Sequence, residues 1–138
     1  MIVDSVVHWA REYRVDGFRF DLAPILGRTA LGFHTTSRTL HAILTDEVLE
    51  DRVMIAEPWD IGPGGYRLGG FPYPFVEWND RFRDGVRQFW RGDAGQIPEL
   101  ARRFAGSAEI FDTRGRTATT SVNFLTAHDG FTLHDLVS

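Results

Sequence analysis

The chain has 138 residues, 43% hydrophobic and 25% charged, so it carries enough apolar material for a core and is too hydrophobic for a disordered tail. Its net charge of −4, with acids and bases interspersed, offers no basic stripe to neutralise phosphates, which argues against nucleic acid as a partner. No apolar run approaches the length of a membrane span, and the lack of cysteine excludes disulfides and thiolate metal sites, so the cytoplasm is the expected compartment.

Asp4 is expected to cap a first helix in which Val6, Ala10 and Tyr13 recur at helical spacing, and Gly17 to Leu22 reads as a strand. Alternation puts Arg19 and Asp21 on one face of that strand and Phe18, Phe20 and Leu22 on the other. A loop with Pro24 and Gly27 follows. Ser37 to Thr45 then places Leu40, Ile43 and Leu44 on one helical face, and Val53 to Ala56 is a short apolar strand ending at Glu57-Pro58. A long Gly/Pro-rich loop, Ile61 to Pro74, leads to a third strand at FVEWN and an amphipathic helix carrying Phe82, Val86, Phe89 and Trp90. Gln96 to Phe104 is expected as a helix with Ile97, Leu100, Ala101 and Phe104 on its buried face, ended by Gly106. SVNFLTA reads as a fourth strand running into His128-Asp129.

Alternating strands and helices imply a parallel sheet, either doubly wound or part of a barrel. Glu57 follows Asp21 by one strand-helix repeat, and Asp129 follows Glu57 by two. The three acids therefore fall in phase at the C-terminal ends of strands, the rim at which such barrels keep their chemistry. Any one of them is as readily a helix cap, but three in phase favour a site. Arg19 pairs with Asp21 as suits a nucleophile, while Glu57, preceded by an apolar strand and followed by Pro58 and Trp59, suits a proton donor. Two such carboxylates meet the requirement for breaking a glycosidic bond with retention. The structural alternatives are a buried Arg19-Asp21 ion pair and simple loop packing around Trp59 and Tyr66. A metal-dependent phosphohydrolase is a further alternative through His128-Asp129 and His134-Asp135, although two-residue motifs are weak signals.

GFRFD at Gly17 to Asp21, Glu57 in IAEPWD, and FLTAHD at Phe124 to Asp129 resemble the second, third and fourth signature regions of the alpha-amylase superfamily of retaining glycoside hydrolases. AEPWDIGPGGY, WNDRFRDGVRQFWRGD and NFLTAHDGFTLHDLVS resemble its bacterial glycogen-debranching and isoamylase branch. The resemblance implies Asp21 as nucleophile, Glu57 as general acid/base and Asp129 as the acid that orients the sugar and stabilises the transition state. Arg19 would support the nucleophile, and His128 and Trp59 would contact the substrate. The implied activity is hydrolysis of alpha-1,6 branch linkages in glycogen or limit dextrins, with no cofactor and no metal assigned. The alternatives are an alpha-1,4-glucan hydrolase or branching enzyme of the same superfamily, or a non-catalytic glucan-binding protein.

The family fold is a (β/α)8 TIM barrel, and the segments here match only its fourth to seventh strands with their helices. Residues 1–138 are therefore expected to be a fragment of one catalytic barrel domain. The missing barrel strands of the parent chain would be its partner, because a partial barrel leaves strand edges unpaired and one sheet face uncovered.

Overall fold

The computed structural model describes residues 1–112 and 115–138. Two compact units divide the chain, Met1–Glu77 and Trp78–Ser138. The first holds α1 (Ile2–Glu12), β1 (Gly17–Phe20), α2 (Pro24–Gly27), β2 (Arg28–Thr29), β3 (Gly32–Phe33), α3 (Arg38–Leu44), β4 (Val53–Ala56) and the start of β5 (Val76–Asn79). The second holds the end of β5, α4 (Asp80–Arg91), α5 (Gln96–Phe104), α6 (Ala108–Phe111), a 3-10 turn (Ala118–Thr120), β6 (Ser121–Asn123) and α7 (Leu133–Leu136).

In the first unit β1 and β4 run parallel, from Gly17 opposite Val53 to Phe20 opposite Ala56, and β4 pairs in parallel with β5 through Ile55–Val76 and Ala56–Glu77. Parallel neighbours need a crossover, and α2, the β2–β3 hairpin and α3 supply the one between β1 and β4. Serine starts α3: the Ser37 hydroxyl accepts the Leu40 N–H at 3.3 Å and donates to the Leu26 carbonyl at 2.7 Å, the usual work of an N-cap. Phe20, Leu40, Ile43, Met54, Ala56, Phe71 and Phe75 form the core with Val6 and Ala10 of α1. Helix α1 begins before Asp4, which lies in its first turn and is not its cap. Tyr13 is exposed and packs on Trp9, ring centroids 4.4 Å apart. The expected loop at Pro24–Gly27 is a single helical turn, because Pro fits the first position of a helix.

Gly17 has a packing reason. A Cβ there would sit 2.5 Å from the Val53 carbonyl oxygen and 2.9 Å from the Val53 Cβ, so β1 and β4 would have to separate. Gly17→Ala is expected to destabilise the chain by about 1–3 kcal/mol, read from the midpoint of urea unfolding. An unchanged midpoint would show that the strands yield freely.

In the second unit β6 is the sheet neighbour of β5, and α4 begins where β5 ends. Asn79 marks that junction: its Oδ1 accepts the Phe82 N–H at 3.0 Å, and its Nδ2 donates to the Ser107 and Ser121 hydroxyls, each at 2.9 Å. Buried Arg103 donates to the same Ser107 hydroxyl at 2.9 Å and pairs with Glu99 at 3.0 Å and with Glu109. The buried face of α5 therefore differs from the expected one. Ile97 and Phe104 are 73% and 69% exposed, while Arg103 is 2% exposed. Its stem lies at the close approach of α5 to Gly85 of α4, where a Cβ would be 3.4 Å from the Arg103 Cγ. Trp90, expected on the buried face of α4, is 79% exposed and lines a cleft of about 650 Å³ with Leu125, Phe131 and Val137. The fourth strand is three residues, Ser121–Asn123, and the chain leaves strand geometry before His128.

The chain is thus α/β, with two parallel strand pairs, β1–β4 joined through helices and β4–β5 through a loop without one. Among the described residues no helix is long and apolar enough to cross a membrane.

Candidate active site

The first unit holds four of the expected site residues, Arg19, Asp21, Glu57 and Trp59, and brings the first three together. Arg19 is the third residue of β1, and Asp21 follows the end of that strand. Alternation carries both to one side, and the Arg19 Nη1 lies 2.5 Å from the Asp21 Oδ1. The other guanidinium nitrogen, Nη2, lies 2.8 Å from the Glu57 Oε1. One arginine therefore spans both acids, and a carboxylate oxygen of Asp21 lies within 4.8 Å of one of Glu57. Asp21 is accessible, with its side chain 64% exposed, whereas Glu57 is 2% exposed.

The backbone explains why Glu57 is held so firmly. Its N–H donates to the Phe20 carbonyl at 3.1 Å, and its own carbonyl accepts the Ala23 N–H at 3.0 Å, which extends the β1–β4 ladder past Ala56. Its Oε2 accepts the Leu22 N–H at 2.7 Å. That amide points at Glu57 from a residue with φ of +45°, a left-handed conformation uncommon for a bulky side chain and typical of functional turns. The apolar surroundings expected for Glu57 are therefore incomplete: a guanidinium and a main-chain amide occupy the polar side of its pocket.

Trp59, two residues on, is half-buried. Asp60 beside it was not anticipated. Its side chain is 2% exposed and accepts two hydrogen bonds from Arg28 Nη2, at 2.6 and 2.7 Å, and one from the Gly62 N–H at 2.6 Å. Glu77 of β5 was also missed. It is fully buried and accepts the Gly69 and Phe71 amides at 2.6 and 3.2 Å. No local pattern announces the Arg28–Asp60 pair, whose members lie 32 positions apart. An acid in the middle of the apolar strand FVEWN was the available signal for Glu77.

Burial opposes ionisation of Asp60, but the hydrogen bonds from Arg28 and Gly62 and the positive charges of Arg28 and Arg67 outweigh it, so its carboxyl is held below the ordinary value. A folded value below the unfolded one contributes stability that is fully present above the ordinary carboxylate range, about pH 4, and is lost as pH falls through the lower folded value. The difference in melting temperature between the parent chain and Asp60→Asn is accordingly expected to shrink as pH is lowered from about 5 to about 2. A difference that stayed constant would sever the link to this carboxylate.

The second unit holds the remaining expected residues. His128 and Asp129 lie in irregular chain after β6, both exposed, with Nε2 and Oδ1 3.4 Å apart. The His128 ring is 6.1 Å from Trp78, which packs on Phe124 at 5.1 Å. Arg83 lies 5.7 Å over the Phe124 ring, and Arg87 donates to the Leu125 carbonyl. Trp78, the first residue of this unit, is thus the ring beside which His128 is placed.

Fold and site together define an α/β segment that presents acids just beyond the C-terminal ends of parallel strands. Over its whole length the chain is homologous to bacterial proteins named glycogen debranching enzyme. It is 50% identical over 137 residues to the one from Serratia proteamaculans and 52% identical over 136 residues to the one from Dickeya chrysanthemi, 99% of this chain in both cases. It is 46% identical over 138 residues to the "Glycogen operon protein GlgX homolog" of Mycobacterium tuberculosis, covering all of this chain. The chain spans about a fifth of the length of these relatives: 21%, 20% and 19% in turn. No family model matches it.

Proposed function

We propose that this chain is part of the catalytic barrel of a retaining glycoside hydrolase that cleaves alpha-1,6 branch linkages of glycogen or its limit dextrins. The observation that carries the reading is the Asp21–Glu57 pair, whose nearest oxygens lie within 4.8 Å. Retaining enzymes hold their two carboxyl groups roughly 5–5.5 Å apart, whereas inverting ones leave roughly 6.5–9.5 Å for a water. In this reading Asp21 attacks the anomeric carbon while Glu57 gives its proton to the departing glycosidic oxygen. Water, deprotonated by Glu57, then breaks the glycosyl–Asp21 ester and restores both groups. Arg19 steadies the two carboxylates between steps. Asp129 orients the sugar and stabilises the charge that develops at the ring, with His128 and Trp59 against the substrate.

The name glycogen debranching enzyme carried by the relatives above supports branch-point specificity, and the share of their length that the chain spans supports a barrel completed by the rest of a longer chain, with β1, β4, β5 and β6 as its fourth to seventh strands by the signature regions. Cytoplasm is the proposed compartment. The test is to incubate the full-length chain with a branched limit dextrin and follow both linkage and anomer by proton NMR. Loss of the alpha-1,6 signal with the alpha anomer appearing first is expected. Cleavage of alpha-1,4 linkages with branch points intact would assign the protein to another alpha-glucan hydrolase, and initial release of the beta anomer would overturn the nucleophilic role of Asp21.

A further inference from the structure

We propose that the Arg28–Asp60 ion pair is a positioning device: it sets the loop from Trp59 to Arg67, and so holds the Trp59 ring against the glucan beside Glu57. The inference rests on the hydrolase reading above and adds to it two residues that do not themselves touch the reacting atoms.

The loop is closed twice. The Arg67 N–H donates to the Pro58 carbonyl at 2.7 Å, joining its base, while the Asp60 N–H donates to the Gly65 carbonyl at 3.2 Å and the Gly65 N–H to the Gly62 carbonyl at 2.9 Å. Trp59 therefore sits between two residues with fixed positions, Pro58 and Asp60. Two glycines permit the closure. A Cβ on Gly62 would come within 2.5 Å of the Arg28 guanidinium, and one on Gly65 within 2.4 Å of both the main-chain and a side-chain oxygen of Asp60. Arg67 stacks 5.3 Å over the Phe33 ring, and Phe33 packs on Phe71 at 5.2 Å, so the loop is fastened to the β2–β3 hairpin and the core. An ion pair with one partner buried and the other exposed is weak evidence for stability. What distinguishes this one is fixed geometry, with three charge-assisted bonds meeting on a single carboxylate. Trp59 offers a large ring with little rotamer freedom to lose, suited to stacking on the apolar face of a sugar.

Kinetics and amide exchange on the full-length chain test the proposal. Asp60→Asn is expected to raise KM for branched glucan about tenfold while kcat stays within about twofold, the pattern of lost binding without lost chemistry. Trp59→Ala should raise KM similarly, and the double variant should be no worse than Trp59→Ala alone, since the pair acts through that ring. Additive losses, or a fall in kcat at unchanged KM, would overturn the proposal. Without any substrate, the Gly62 and Arg67 amides should exchange about tenfold faster in Asp60→Asn while the Glu57 amide keeps its protection. Unchanged exchange would overturn the clamp even if the hydrolase reading stood, and inactivity of the parent chain on branched glucan would sink that reading while leaving the exchange result to decide the clamp. If Asp60→Asn fails to fold, Arg28→Ala, at the more exposed partner, carries the same expectations, with partial recovery in Arg28→Lys.

Discussion

Glu57→Gln in the full-length chain is expected to lower kcat for branched glucan by about 10²–10⁴-fold, the usual contribution of a positioned general acid. The amide is nearly isosteric and its oxygen can still accept the Leu22 N–H that Glu57 accepts at 2.7 Å, but its NH2 then faces the Arg19 guanidinium that lies 2.8 Å from the other carboxylate oxygen, so circular dichroism and urea unfolding of the variant accompany the kinetics. In the proposed mechanism what is lost is the proton for the leaving oxygen and the base for the attacking water. The loss should depend on the leaving group. An aryl alpha-glucoside with an acidic phenol departs without protonation, so its first step should be nearly spared and the covalent intermediate on Asp21 should accumulate. Added azide, which needs no base, should then restore turnover and yield the alpha-glucosyl azide. Unchanged kcat would remove Glu57 from the chemistry, and a loss equal for all leaving groups would recast it as a residue that only holds Arg19 and Leu22 in place.

The second large effect concerns stability. Asn79→Ala removes the cap of α4 and the amide that donates to the buried Ser107 and half-buried Ser121 hydroxyls, the first of which keeps Arg103 as a donor, so a loss of about 2 kcal/mol is expected, combining a cap worth about 1 kcal/mol with the hydrogen bonds lost. Asn79→Asp separates the contributions. It keeps the oxygen that accepts the Phe82 N–H and can accept a hydrogen bond from the Ser107 hydroxyl, so it should lose markedly less. Urea unfolding of both variants gives the comparison, and equal losses would mean that the cap contributes nothing. The Arg103 guanidinium shares Ser107 with Asn79, so replacing both should not be additive.

These cases show where sequence is and is not informative. Val53–Ala56 and Gln96–Phe104 appear with the expected bounds, because apolar runs and period-3.6 patterns report local backbone preference. The face of α5 that is buried was not legible. Ile97 and Phe104 form the apolar stripe, yet Arg103 goes inside: its pairing with Glu99 one turn back is local, but its bonds to Ser107 and Glu109 depend on how the chain turns after the helix, and the close approach of Gly85 depends on α4. Arg19 and Asp21 were legible as a pair because two positions on one strand face must meet. That Arg19 also reaches Glu57 follows from the register of β1 on β4, which alternation within one strand does not encode. Asp60 lies inside IAEPWD, yet nothing local marks it, because its partner Arg28 is remote in the chain.

Leu22 shows what such a site demands of its main chain. A leucine held at φ +45° sits in a conformation that costs an L-residue about 1–2 kcal/mol and glycine almost nothing. Thermostability alone would favour glycine there. A flexible residue would let the amide that holds Glu57 wander, and with it the register between the two acids. The leucine trades a little folding energy for a stiff link directly after Asp21, so selection for heat resistance and selection for turnover would pull this one position in opposite directions.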